Sequence, residues 1–182
     1  MGYEDWLKFL GGGLLGAALN QIVVIGKDWY SKSQQNEKKK KGDAIMLAAR
    51  LEAHAIACAH LIGDVIEAKD QAGRYASYEY AKFVRVPDLQ IPGDIDWVLL
   101  GVDINSKVQC IEANVHYSNG LISYAYYGDG GEPFEGMDES IRQLKKRGGY
   151  SWGVAAEIRE RLFLKTPKFD FGEWDFLASL NE

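Results

Sequence analysis

The sequence is poor in the residues that usually announce chemistry. It has two cysteines and three histidines in 182 residues. No histidine belongs to a metal-binding motif, and no serine or cysteine sits in a nucleophile elbow or beside a paired base. The glycines at Gly128, Gly130 and Gly131 are not followed by Gly-Lys-Ser/Thr, so they form no phosphate cradle. The acidic stretch from Asp129 to Asp138 lacks the alternating oxygen ligands of a calcium loop, since Gly131 and Pro133 stand in those places. No metal and no cofactor is expected on these grounds, and no catalytic residue is assigned.

Positive charge is also scarce in most of the chain. Residues 1–42 carry seven lysines against four acids, +3, which leaves 14 basic and 22 acidic residues in 43–182, −8. An acidic body repels phosphate backbones, which argues against nucleic acid as a partner.

What is present is organised around the first thirty residues. From Phe9 to Gly26 no charge occurs, with Trp6 before the run and Trp29 and Tyr30 after it. Eighteen helical residues span about 27 Å, against a hydrocarbon core of about 30 Å, and aromatic residues favour the two interfaces. The stretch is expected to be a single transmembrane helix. A cleaved signal peptide fits less well, because Glu4 and Asp5 precede the first lysine, Lys8. A buried helix of a soluble body is the competing reading, since the run holds five glycines together with Asn20 and Gln21.

Gly12, Gly16 and Asn20 recur every four residues, as do Gly13, Ala17 and Gln21. These six share one helical face. Small residues allow close helix approach, and amides in hydrocarbon need partners. The face predicts a helix–helix interface, with a second copy or with another transmembrane helix. The early lysines other than Lys8 follow the span, so the positive-inside rule places the C-terminal body in the cytoplasm, below an inner membrane. Cys58 and Cys110 are then expected to remain thiols. Lys38, Lys39, Lys40 and Lys41 are candidate contacts to anionic inner-membrane lipids, at about 1 kcal/mol each near the surface. The expected domains are a 1–30 anchor, a 31–42 basic tether (flexible, or a solvated continuation of the helix) and a 43–182 helical cytoplasmic domain.

Within that domain, Ala44, Ala48, Leu51, Ala55, Cys58, Ile62 and Val65 step by four and three, a heptad seam behind Asp43 as a cap. His54, Cys58 and His60 lie on this helix. His60 sits about 160° around it from Cys58, so the three cannot converge on one metal, and Cys58 is expected in the core. Residues 70–97 are expected to begin as a turn and end extended, since Pro87 and Pro92 exclude a continuous helix there. Tyr75, Tyr78, Tyr80 and Phe83 are expected to pack on neighbouring helices, with a ligand platform as the lesser use. Asp94 is expected to cap a short helix through Trp97 and Leu100.

Residues 103–127 support two structures. Ile104, Val108, Ile111, Val115, Ser118, Ile122 and Tyr126 fit one helical stripe, whereas Asn119-Gly120 is a hairpin signal. The helix is preferred because its stripe lasts more than six turns. A last helix is expected from Phe134 through Leu162, kinked or broken at Gly148-Gly149. Phe169, Phe171, Trp174, Phe176 and Leu177 then form an apolar tail expected to dock on the body. Glu157 and Glu160 each have an adjacent arginine and are expected on a solvated face.

Ile95-Asp96-Trp97, the Gly153-x-x-Ala156-x-x-Arg159 segment and Trp174-Asp175 resemble a set of uncharacterised bacterial proteins with an N-terminal membrane helix and a helical cytoplasmic body. That resemblance implies an all-α fold and supplies no catalytic residue. The fold class expected is all-α, an N-terminal transmembrane helix followed by a small helical bundle with long core helices. The function expected first is a membrane-tethered, non-enzymatic protein-interaction module with an unknown protein partner. A membrane effector that assembles its N-terminal helix into a pore is the alternative, and an enzyme whose site is invisible in linear sequence the second alternative.

Overall fold

The computed structural model describes the backbone of residues 3–170, 172 and 174–181, and side chains at Val24 and from Lys27 onward within that range. The chain forms two compact units, Met1–Lys40 and Lys41–Glu182. Five α-helices form among the described residues, and no strand: α1 (Tyr3–Tyr75), α2 (Trp97–Leu100), α3 (Val102–Tyr127), α4 (Pro133–Arg161) and α5 (Phe176–Asn181). The fold is helical, as the periodicity predicts.

In the first unit the run at Phe9 to Gly26 is helical. The interface expected at Gly12, Gly13, Gly16, Ala17, Asn20 and Gln21 concerns side chains outside the described residues. α1 is long and apolar enough to cross a membrane. The stretch that qualifies among the described residues is Lys27–Tyr75, and half of its apolar window is buried inside the protein. The core seam of the body therefore passes the same test, and it does so for a reason unrelated to lipid. Residues 31–42 belong to α1, so of the two forms expected for the basic stretch the helical one occurs.

The second unit is a bundle of the last part of α1 with α3 and α4. All seven seam residues from Ala44 to Val65 are fully buried or within 1% of it. Fully burying a Val, Leu or Ile side chain is worth about 1.5–3 kcal/mol, more than an exposed ion pair at about 0–1 kcal/mol, so this seam rather than the surface charge holds α1 in the bundle. The α3 stripe from Ile104 to Tyr126 is buried throughout, and the Asn119-Gly120 hairpin does not form.

α4 runs antiparallel to both of its neighbours. Glu52 pairs with Arg159, His54 with Ser151 and Lys69 with Asp138, so positions on α1 rise as those on α4 fall. Lys107 with Glu157 and Ser118 with Gln143 show the same for α3. α1 and α3 are consequently parallel, and parallel helices need a connection that returns the length of the bundle.

That connection is the extended segment after the 3₁₀ turn at Tyr78–Tyr80. It passes Asp64 at Lys82, His54 at Pro87 and Asp43 at Asp96. Being partly buried and without a strand partner, its backbone groups need side-chain partners. Tyr126 Oη donates to the Lys82 carbonyl and Ser140 Oγ donates to that of Val84 at 2.9 Å. Asn119 binds both backbone groups of Val86, at 2.8 and 3.1 Å. His54 Nε2 donates to the Pro87 carbonyl at 2.9 Å. Three helices thus clamp one strap.

Four local expectations are corrected. Asp43 is no cap, because α1 continues through it; it is buried, and its Oδ2 accepts the Asp96 N–H at 3.0 Å. The short helix is capped by Asp96, which accepts from the Leu99 N–H at 3.3 Å, and not by Asp94. α4 is unbroken across Gly148-Gly149. A Cβ on Gly148 would lie 2.6 Å from Leu180 Cδ2 and 2.9 Å from Cys58 Cβ, so this glycine permits close packing instead of a kink. Glu157 is only half exposed and accepts from Lys107 and Arg161, joining α3 to α4, while Glu160 is exposed as expected.

The tail docks as expected where it is described. Trp174 lies 4.2 Å from the His60 ring, Phe176 packs edge-on to Trp152 at 5.0 Å, and Leu180 is buried beside Gly148. Phe171 lies outside the described residues.

Candidate interaction surface

Two pairings in the body have the residue types of a catalytic site and neither the access nor the partners. Ser151 Oγ lies 2.9 Å from His54 Nδ1. The Pro87 carbonyl can only accept, so the proton of the neutral ring sits on Nε2, and Ser151 donates to Nδ1. Burial holds the imidazole below its ordinary value of 6.5, with the Pro87 bond and the Asp88 charge acting the other way. Ser151 is wholly buried, so no substrate reaches it, and the pair braces the strap. Glu52 and Arg159 form a two-pronged buried ion pair at 2.5 and 2.7 Å, and Arg159 also donates to the Lys165 carbonyl at 2.9 Å. The Glu52 bond raises the arginine's proton affinity further. Removing one partner of such a pair costs about 3–5 kcal/mol, which marks it as structural.

The histidines and cysteines do not assemble. His54 is used in the core, His60 packs at a tilt against Trp174 and His116 is exposed. Cys58 is a buried thiol whose pKa burial pushes up to about 12. Cys110 is exposed on α3, with the Asn114 amide donating to its sulfur at 3.1 Å. No group of three potential metal ligands occurs among the described residues. Lys38, Lys39 and Lys41 are exposed and Lys40 half buried on α1.

One end of the bundle, where α1 and α3 finish and α4 begins, presents a group of exposed tyrosines. Tyr75, Tyr78, Tyr124 and Tyr127 are each well over half exposed there. Local geometry puts them out. Ala76, in the left-handed region at φ 47°, turns the chain off α1, and Ser77 accepts the Glu79 N–H at 3.2 Å to start the 3₁₀ turn. An alanine in that conformation is strained, and such strain gathers at functional sites.

The rings brace one another instead of sinking into the core. Tyr75 stacks on Tyr80 at 5.0 Å, Tyr78 meets Phe134 of α4 edge-on at 5.6 Å, and Phe83 lies between Tyr126 and Tyr127 at 4.9 and 5.3 Å. The expectation that this cluster packs on neighbouring helices holds for Phe83 against α3 and for Tyr78 against Phe134, while Tyr75 and Tyr80 stack on each other and Tyr75 and Tyr78 remain more than half exposed.

Two hollows adjoin the rings. One of about 340 Å³ is lined by Ala72, Gly73, Ala76, Ser77, Tyr78 and Phe134. The other, about 420 Å³, lies between α1 and the strap, with Asp64, Glu67, Gln71, Glu79, Tyr80 and Lys82 on its walls. Lys82 is already held by Asp64 at 2.9 Å, so the second hollow is acidic. From Asp64 to Arg85 and from Asp129 to Asp138 this end carries four basic and eight acidic residues, −4, half of the excess in the body.

The sequence shows Tyr75, Tyr78, Tyr80 and Phe83 but not the meeting of Tyr78 with Phe134 or of Phe83 with Tyr127, because nothing linear marks which helix ends coincide. Comparison of the chain with protein-family profiles, with curated proteins and with solved structures gives no match.

Proposed function

We propose that the chain is a helical protein-interaction module held at a membrane by its N-terminal segment, with the tyrosine-rich end of the body as its docking surface. The observation that carries this reading is the set of open tyrosines at one end of a bundle whose interior is otherwise closed. Tyrosine supplies large rigid contact area with a polar handle and is enriched at the energetic centres of interfaces. The acidic hollow beside it suits a partner surface with basic and apolar side chains.

The anchor in this reading is the uncharged run at Phe9 to Gly26. The lysines at 38–41 face anionic lipid of the inner membrane, and the body lies in the cytoplasm. The face at Gly12, Gly13, Gly16, Ala17, Asn20 and Gln21 pairs the span with a second copy or another membrane helix. Tethering raises the effective concentration of a weak contact without a new interaction. Deleting residues 1–30 is therefore expected to reduce activity in cells and to leave a folded body that still binds in excess. A pore would instead lose all function on that deletion, and reconstituted wild type would leak dye.

A further inference from the structure

Helix α4 ends on a side chain that the fold itself does not use. The Phe163 N–H donates to the Glu160 carbonyl at 3.2 Å, and the Leu164 N–H to that of Arg159 at 2.8 Å. These two bonds close α4 in a Schellman turn, whose left-handed position is usually taken by glycine. Phe163 occupies it instead, at φ 52°. A bulky residue in that conformation is an outlier, and such strain gathers at functional sites. Its side chain is 97% exposed, so packing within the body does not offset the strain.

Two valines stand out at the same end of the bundle. Val98 of α2 is 90% exposed and Val102, the first residue of α3, 85%. With Phe163 they are the most exposed large apolar side chains among the described residues. Asp103, beside Val102, pairs at 2.7 Å with Arg161, two residues before Phe163. The Asp96 N–H, two residues before Val98, donates to Asp43, so the body also begins at this end.

Charge and spacing argue for lipid as the occupant. Residues 94–107 and 157–168 hold five basic and five acidic residues, net zero, against −4 at the tyrosine-rich end. Lys165 and Lys168 are exposed just after Phe163, and the chain enters the body here through Lys38 to Lys41. An anionic membrane surface attracts such lysines and repels the tyrosine-rich end. A protein partner needs contiguous, complementary area. Side chains that project singly offer little of it, whereas a bilayer takes them up as a solvent.

We infer that Phe163, Val98 and Val102 make a second membrane contact of this chain, entering the headgroup boundary of an anionic bilayer. The inference rests on the reading of the chain as membrane-held and adds that the body stands end-on. The tyrosine-rich end then faces away from the lipid, about 48 Å off along α1 from Asp43 to Tyr75.

The test reconstitutes the full chain, carrying Cys110→Ser, in vesicles of phosphatidylcholine and phosphatidylglycerol. A nitrobenzoxadiazole label is attached through Phe163→Cys or, for comparison, through Tyr124→Cys; Cys58 is buried and stays unlabelled. The label at 163 is expected to shift to the blue and to be quenched by nitroxide-bearing phospholipids. The label at 124 does neither. Adding Val98→Ser and Val102→Ser weakens the quenching at 163 several-fold.

Protein that floats with the vesicles while the label at 163 stays in water overturns this inference and leaves the anchor standing. Protein that does not float overturns both. A blue shift that nitroxide lipids do not quench assigns this end to a second copy of the chain, and quenching at both positions lays the body flat. Either result overturns the end-on contact, as does quenching at 163 that the valine changes leave unmoved.

Discussion

The side-chain amide of Asn119, in the middle of α3, binds both backbone groups of Val86, at 2.8 Å to its N–H and 3.1 Å to its carbonyl. An asparagine beside a glycine would ordinarily mark a hairpin turn. Here the amide substitutes for the strand that the extended strap lacks. Asn119→Leu leaves a donor and an acceptor of Val86 unpaired, at about 1–3 kcal/mol each. It is expected to lower stability by about 2–4 kcal/mol in urea unfolding. An equal midpoint in both proteins would show that the strap is held by its apolar side chains alone.

His54 makes stability depend on pH. Its folded-state affinity for a proton lies below the ordinary value of 6.5 because the ring is buried. Above that value the ring is neutral in both states and its contribution is complete. As pH falls through 6.5, the unfolded chain takes up a proton that the folded chain resists, so stability declines. The difference between wild type and His54→Asn is therefore expected to shrink on acidification. A constant difference would mean that the ring protonates freely in place.

Gly148 and Gly149 are adjacent and should respond oppositely to alanine. A Cβ on Gly148 meets Leu180 and Cys58 at under 3 Å, whereas one on Gly149 meets nothing. Gly148→Ala is expected to cost about 1–3 kcal/mol by overpacking, and Gly149→Ala to gain about 0.5–1 kcal/mol by stiffening a helix interior. Calorimetric melting temperatures on either side of wild type would confirm the close α1–α4 contact, and equal shifts would contradict it.

The helices that carry the core were readable from spacing. The α1 seam from Ala44 to Val65 and the α3 stripe from Ile104 to Tyr126 are buried residue for residue, because a long period of 3.6 leaves few alternatives. Local signals failed where tertiary contact outweighed them. Asp43 has the composition of a cap but sits within a continuous helix as an acceptor for Asp96. Asn119-Gly120 is turn-like but belongs to α3, and the Gly148-Gly149 pair suggests a break but provides room for Leu180. The His54–Ser151 pair spans 97 positions and the Glu52–Arg159 pair 107, distances at which no linear pattern connects them. The same holds for the tyrosine-rich end, assembled from three helix termini.

The two thiols should separate cleanly. Cys58 is buried, with its pKa pushed up to about 12, and Cys110 is exposed. Iodoacetamide is expected to modify Cys110 alone in the native protein and both thiols in denaturant, by intact mass. Ready native labelling of Cys58 would show that the α1–α4 seam opens on the time scale of the reaction.

The role of the tyrosine-rich end is tested most directly at the membrane. Full-length wild type and a Tyr78→Ala/Tyr127→Ala double variant can be captured from carbonate-washed, detergent-solubilised membranes, and the retained polypeptides compared quantitatively. Both side chains are well exposed, so the variant is expected to fold and to remain in the washed membranes. It should lose, by an order of magnitude or more, at least one polypeptide that wild type retains. Extraction of wild type into the carbonate supernatant, or an identical set of retained polypeptides for both proteins, would contradict a membrane-held interaction module.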